Sequence, residues 1–442
     1  MSPHSIHQFF DKHLSQYGYL IISNGEAAVI DPPRDVQPML DVLQEQNVTL
    51  KNIIETHPHA DFVSGHLELH ILTGATIHVS KLLGADYEHK SFDTGDGIIL
   101  GAITLESINT PGHSPDSISI LLRNAEGKQE ALFSGDTLFV GDVGRPDLRE
   151  TAGNMQAKRE ELAGMMYETV HTILQKLPDD TVVYPAHGAG SLCGKALRDA
   201  PSTTIGEEKS SNPAFQEMSK EAFVSMLTEG QPFIPQYFPF EVGINKAGAT
   251  GLQESLASLK QITEIPNGVL VLDTRSSKSY NAGHIDKALH IAENGMRFET
   301  WLGTIIAPDE QFVVVIQDEE SMNRVLKRIA SIGYEQNILG VYMGNVGKKQ
   351  SHPLDIEALK ASPKDYTIVD VRQSYEHEDN PLFAHAMNIP LNELRERVAE
   401  IPQGKPIAVH CAGGYRSAVA QSIISAQSEM TVVDIGEHIR TI

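Results

Sequence analysis

Thr56-His57-Pro58-His59-Ala60-Asp61-Phe62 follows the short apolar pair Ile53-Ile54. Two histidines and an aspartate at alternate positions, delivered by the end of a buried run, are the donors a strand-end metal site needs. Phe62 closes the stretch, and a phenyl ring cannot ligate a metal. Working outward, Thr110-Pro111-Gly112-His113 places His113 in a turn after a strand. Asp136 ends Ser134-Gly135-Asp136, after the apolar Ala131-Leu132-Phe133. His187 ends Tyr184-Pro185-Ala186-His187, and Arg145 sits in Gly141-Asp142-Val143-Gly144-Arg145-Pro146-Asp147. One histidine or aspartate at a strand end is ordinarily a polar loop residue. Four ligand-type positions, each after a short apolar run, point to one metal constellation.

The surrounding chain alternates strands and helices. Tyr19 to Pro33 predicts a hairpin turning at Asn24-Gly25, and Val36 to Gln46 and His66 to Thr73 predict helices. Strands are expected around 76–80, 97–108, 117–122 and 181–184, with an amphipathic helix from Lys158 to Leu177. Such a pattern predicts a two-layer sheet core with helices outside. Residues 201–250, rich in proline and aromatics, read as an irregular connector, with a solvated loop at 207–212.

After about residue 250 the sequence repeats. Val271-Leu272-Asp273-Thr274-Arg275 recurs as Ile368-Val369-Asp370-Val371-Arg372, and Val313–Ile316 pairs with Ile407–His410. The near-constant offset implies two copies of one α/β unit with parallel sheets. The second copy carries His410-Cys411-Ala412-Gly413-Gly414-Tyr415-Arg416-Ser417. A buried strand delivers a cysteine, small residues allow a tight loop, and a helix begins near Ser417. Backbone N–H groups and a helix N-terminus aimed at the sulfur stabilise a thiolate or an anionic persulfide, and Arg416 adds positive charge. In the first copy Gln317 stands for Cys411, Glu319 and Glu320 for the two glycines, and Met322 for Arg416. That loop has no nucleophile.

Composition narrows the class. The 442 residues carry a net charge of −23 and show no basic cluster, which argues against nucleic acid and anionic membrane partners. Cys193 and Cys411 are the two cysteines, so no disulfide framework is expected. A reducing, cytoplasmic setting fits. The N-terminus lacks the charge and apolar pattern of a signal peptide, and no apolar run is long enough to cross a membrane. Cys193, in the small-residue loop Gly190-Ser191-Leu192-Cys193-Gly194, reads either as a sulfur relay or as a small packed hydrophobe.

The first 248 residues resemble the metallo-β-lactamase fold in its hydroxyacylglutathione hydrolase-like branch. The motifs are THPHADF at 56–62, TPGHS at 110–114, SGDTLF at 134–139 and the histidine of YPAHG at 184–188. The resemblance implies an αββα sandwich with its site at one edge. The hydrolases of that branch bind two zinc ions and have a histidine directly after the motif aspartate. Phe62 replaces it, which shifts the resemblance to the persulfide dioxygenases, with one Fe(II) per chain. The ligands this implies are His57, His113 and Asp136. Two imidazoles and one carboxylate leave positions open for substrate and O₂. His59, Asp61 and His187 are then expected to orient ligands or the bound sulfur. The competing reading has them hold a second metal. Arg145 either holds an anionic substrate group or pairs with Asp142 or Asp147, the latter being the commoner use of an arginine fork. Tyr17 and Tyr19 read as core.

Residues 351–442 resemble a rhodanese, through IVDVR at 368–372, NIPL at 388–391 and the CAGGYRS loop. The usual Gly-His-Ile turn is replaced by Pro381-Leu382-Phe383. Residues 249–350 keep that turn, as Gly283-His284-Ile285, and read as an inactive rhodanese-like domain. The fusion implies oxidation of a low-molecular-weight thiol persulfide by O₂ to sulfite and thiol. Cys411, with Arg416, then passes sulfane sulfur to sulfite, giving thiosulfate. A homo-oligomer is the family expectation. The alternatives are a zinc-dependent thioester hydrolase with an attached sulfurtransferase, and a non-enzymatic sulfane-sulfur carrier or sensor.

Overall fold

A computed structural model describes residues 4–149, 158–347 and 349–441. Met1 and Ile442, the outer limits expected for the first and last domains, lie outside them. The chain divides into two compact units, one of residues 1–255 with 330–333, the other of 256–329 with 334–442.

The first unit holds two six-stranded sheets. One runs β1 (His4–Asp11), β2 (Gln16–Ser23), β3 (Glu26–Ile30), β4 (Thr49–Ile54), β5 (Thr76–Val79) and β6 (Lys90–Ser91) in spatial order. The other contains β7 (Gly97–Leu100), β8 (Ile103–Asn109), β9 (Ile118–Arg123), β10 (Gln129–Gly135), β11 (Val182–Pro185) and β12 (Thr203–Thr204), again neighbour to neighbour. The β2–β3 hairpin turns at Asn24 and Gly25, both at positive φ. Alternation along β2 explains why all of it is buried. Tyr19 and Ile21 face the space between the sheets with Leu105, Ile120, Leu122 and Phe133. Leu20 and Ile22 face the other way, against Met39, Leu43 and Leu69 of the covering helices. Each such large side chain contributes about 1.5–3 kcal/mol on burial. Tyr17 and Tyr19 are core residues, as expected.

Three expectations are corrected. Residues 97–108 form the antiparallel pair β7–β8, because the apolar alternation continues across the turn at Gly101 and hides it. The stretch 201–250 is mostly helical, with helices Ile205–Ser211, Lys220–Thr228 and Phe238–Ala247. Pro213 and Pro239 mark helix starts rather than breaks, since a first-turn residue has no intrahelical N–H bond to lose. Residues 207–211 belong to the first of these helices, capped by the Thr204 hydroxyl. Its Glu208 is fully buried, accepting from the Gly141 N–H at 3.0 Å, Thr203 at 2.9 Å and Asn212 at 2.7 Å.

The second unit contains two all-parallel sheets. In the middle module the order is β13 (Gln261–Ile262), β17 (Ile338–Tyr342), β16 (Phe312–Val315), β14 (Leu270–Asp273), β15 (Leu289–His290). In the C-terminal module it is β19 (Met387–Asn388), β18 (Thr367–Asp370), β20 (Ile407–His410), β21 (Val432–Asp434). No helix among the described residues is long and apolar enough to cross a membrane.

Candidate metal centre and sulfur-carrying loop

The strand ends bring the predicted ligands together. β4 delivers His57, His59 and Asp61; β8 delivers His113; β10 delivers Asp136; β11 delivers His187. One ligand atom each from His57, His113 and Asp136 lies within 4.8 Å of the others, and all three side chains are buried. The nearer Asp136 oxygen, Oδ2, is 3.7 Å from His57 Nε2 and 3.6 Å from His113 Nε2.

The hydrogen bonds behind these atoms fix which ring nitrogens face the centre. The Thr56 hydroxyl has one proton, and it points to Asp31 Oδ2 at 2.8 Å. It therefore accepts from His57 Nδ1–H at 3.0 Å, leaving the His57 Nε2 lone pair free. His113 Nδ1–H donates to the Arg145 carbonyl at 3.0 Å, with the same result. Asp136 Oδ1 is taken by His187 Nδ1–H at 2.7 Å, which turns Oδ2 toward the two histidines. His57 Nε2 and Asp136 Oδ2 are buried without a hydrogen-bond partner. Buried polar atoms are rarely left so. A cation bound between them satisfies both, so the donor set fits a metal. Burial lowers the pKa of His57 and His113, holding them neutral as ligands require. Burial raises the Asp136 carboxyl, but His187, His57 and His113 outweigh it and leave it well below the usual range.

His59, Asp61 and His187 sit behind the triad. His187 Nε2 lies 2.9 Å from Asp61 Oδ2, so both its nitrogens face carboxylates. Burial lowers its pKa, but Asp136 and Asp61 raise it well above that of a free histidine. His59 Nε2 lies 3.2 Å from Asp31 Oδ1, and its ring packs 4.3 Å from that of Phe62. Phe62 is buried, filling with carbon the place beside His59 and His187. Cys193 is buried, with one ligand atom each from Asp61, His187 and Cys193 within 4.8 Å of the others. Burial, then Asp61 and Asp136, pushes its thiol up. Arg145 is spent on structure: it forks Asp147 with two bonds of 2.7 Å and donates to the Leu192 and Pro232 carbonyls.

Sequence reasoning missed two supports. Asp31 accepts from Thr56 N–H at 2.8 Å as well as from its hydroxyl, and so carries the whole His57 arrangement. It sits before two prolines and reads as an ordinary turn residue. Asn245, in helix Phe238–Ala247, donates to the His59 and Phe62 carbonyls at 2.8 Å each and accepts from Ser64 N–H at 2.8 Å. Nothing local in the sequence signals that latch.

In the second unit, β20 delivers Cys411 to a buried position. Gly414 N–H points at its sulfur at 3.1 Å, and the Ser417 hydroxyl oxygen is 3.6 Å away. Gly414 has φ +100°, a left-handed conformation that side chains disfavour, and helix Tyr415–Gln427 starts immediately after it. Arg416 is forked by Glu376 at 2.6 and 2.8 Å, a partner the sequence did not suggest. In the middle module Gln317, Asp318 and Glu320 line a cleft of about 450 Å³ with Arg275 and Arg324.

Sequence and structure comparisons agree with this layout. Residues 12–187 match the metallo-beta-lactamase superfamily, and 255–346 and 355–436 match the rhodanese-like domain. A metallo-β-lactamase crystal structure from Staphylococcus aureus subsp. aureus COL is 34% identical, covering 78% of this chain and 100% of that one, with a TM-score of 0.69. The human persulfide dioxygenase ETHE1, mitochondrial, is 29% identical over 55% of this chain and 88% of its own length. A hydroxyacylglutathione hydrolase of Polaromonas sp. is 28% identical over 50% of this chain and 88% of its own. The chain belongs to the metallo-β-lactamase superfamily. It joins a metallo-β-lactamase domain with persulfide dioxygenase homologues to rhodanese-like domains.

Proposed function

We propose that the chain is a non-haem Fe(II) persulfide dioxygenase coupled to sulfur transfer, with residues 1–248 as the oxidising domain, 249–350 as an inactive rhodanese-like domain and 351–442 as the sulfurtransferase. The observation that carries it is the cluster of His57, His113 and Asp136, in which His57 Nε2 and Asp136 Oδ2 have no hydrogen-bond partner, with Phe62 filling the place beside His59 and His187 and with His187 already committed to two carboxylates. That set suits one metal with vacant positions better than two closed ones.

Bound Fe(II) would supply the activation of O₂. The chain's own residues do the rest. Thr56 and the Arg145 carbonyl hold the two imidazoles in the ligating tautomer, and His187 holds Asp136 with one oxygen presented. The burial of all three ligand side chains keeps bulk water from the centre. Overall, R–S–SH, O₂ and H₂O give R–SH, sulfite and two protons. The Cys411 thiolate then attacks the outer sulfur of another persulfide. The S–S bond breaks and the leaving thiolate takes a proton. A sulfite lone pair attacks the sulfur carried on Cys411, producing thiosulfate and restoring the thiolate. The two unpaired thiols support a reducing cytoplasmic setting, and a homo-oligomer follows from the family reading.

The test is metal analysis after anaerobic purification, with O₂ uptake on a panel of persulfides. Iron with persulfide-dependent uptake is expected; zinc without uptake would overturn the proposal. One observation favours a second reading, a zinc-dependent thioester hydrolase: the cluster of Asp61, His187 and Cys193 could take a second ion. Two zinc ions per chain, together with thioester cleavage, would select it.

A further inference from the structure

The middle module has kept a buried fold without a nucleophile. Its contact with the catalytic loop supplies a reason. Tyr415 immediately follows Gly414, whose N–H points at Cys411. The Tyr415 hydroxyl leaves its own module and donates to the Ala292 carbonyl at 3.0 Å. Its ring lies over Gly295: a Cβ built there would come within 2.1 Å of the ring. Gly295 is not in the left-handed region, so its backbone does not ask for glycine. The space taken by the Tyr415 ring does.

The receiving turn is itself held rigid. Arg328 donates to the Glu293 carbonyl, and to the Gly295 carbonyl at 3.0 Å, while forking Glu299 at 2.5 and 2.6 Å. Two helical turns beyond Tyr415, on the same face, the Ser422 hydroxyl accepts from His290 N–H of β15 at 2.9 Å. Arg395 of the C-terminal module forks Glu310 with two bonds of 2.6 Å. The helix that opens on the catalytic loop is thus pinned at its first turn and again two turns on.

We propose that Tyr415 is a positioning residue for sulfur transfer, and that the inactive module serves as the fixed seat holding the Cys411 loop through Ala292 and Gly295. The inference rests on Cys411 being the sulfur carrier. With the tyrosine seated, Gly414 N–H stays aimed at the sulfur. Unseated, the loop samples conformations in which the thiolate loses that donor.

The full chain tests this. Tyr415→Phe removes only the hydroxyl, and Gly295→Ala displaces the ring from the opposite module. Each is expected to lower kcat for transfer from persulfide to added sulfite, by about three- to tenfold for the loss of one positioning hydrogen bond, with KM little changed. The pH profile of Cys411 alkylation by iodoacetamide should move to higher pH in both. Sulfite formation by the first domain should be unchanged. If Tyr415→Phe and Gly295→Ala leave both the transfer rate and the alkylation profile as in the parent, the seat idea is wrong. Transfer that survives Cys411→Ser would instead remove the reading beneath it.

Discussion

Asp273 and Arg275 in the middle module and Asp370 and Arg372 in the C-terminal one make the same fork. In each, the arginine Nη2 holds the carboxylate at 2.6 Å and also reaches a carbonyl eight residues on, Gly283 or Asn380. The Gly-His-Ile turn is therefore dispensable to the fork, since the Asn380 carbonyl serves without it. The modules part at the loop that follows the next strand. In the C-terminal copy the N–H of Gly414, the residue just before the helix, points at Cys411. In the middle copy Asp318 accepts from Ser321 N–H at 2.9 Å and Ser321 Oγ–H at 2.8 Å, an ordinary helix cap. The carboxylate occupies the role that an anionic sulfur has next door. The same buried ion pair stands in both copies, while the loops satisfy their polar groups differently.

The largest expected effect breaks the chemical half of that comparison. Cys411→Ser should bring thiosulfate formation to background while sulfite still accumulates; persistent thiosulfate would mean that the loops do not differ as described. Next come the forks. Asp273→Ala and Asp370→Ala each strand a buried arginine, at a cost of about 3–5 kcal/mol. Trp301, the single tryptophan, lies buried in the middle module, so its fluorescence in urea follows Asp273→Ala directly. An unchanged midpoint would show that the fork is not what holds the middle copy together.

A smaller effect separates the modules by pH. Burial raises the Asp434 carboxyl from 3.8 to about 6. Between those values the folded chain binds the extra proton, so stability falls as pH rises through that window and levels off above it. Tyr342 holds the matching register position in the middle module and carries no such charge. Asp434→Asn should flatten the slope and stabilise the C-terminal module above pH 6; an unaltered pH dependence of urea unfolding would count against this. Smallest of all, Gln317→Cys should create a thiol that iodoacetamide alkylates more slowly than Cys411 and that transfers no sulfur, because Asp318 already caps the helix. Transfer by that variant would show that the cysteine alone separates the two loops.

The sequence was most legible where residues of ligand or nucleophile type stand at strand ends. His57, His113, Asp136 and Cys411 each follow a short apolar run, and the 250–442 repeat exposes its own lost loop. What stayed hidden depends on partners distant along the chain or on burial that composition does not show. Asp31 looks like a turn aspartate until Thr56 is found on it. Glu376 lies 40 residues from the arginine it forks. The helix at 205–211 was obscured by serine, lysine and glutamate, of which only Glu208 faces inward.

Asn245 carries a consequence for the order in which the protein is made. It bonds residues 59, 62 and 64, more than 180 positions earlier in the chain. During synthesis the candidate ligand loop therefore emerges from the ribosome long before its latch. A nascent chain halted at residue 237 is expected to surrender bound metal to a chelator faster than one extended to residue 255. On that expectation the last helix of the domain, rather than the histidine motif that begins it, sets when the candidate ligand loop is latched.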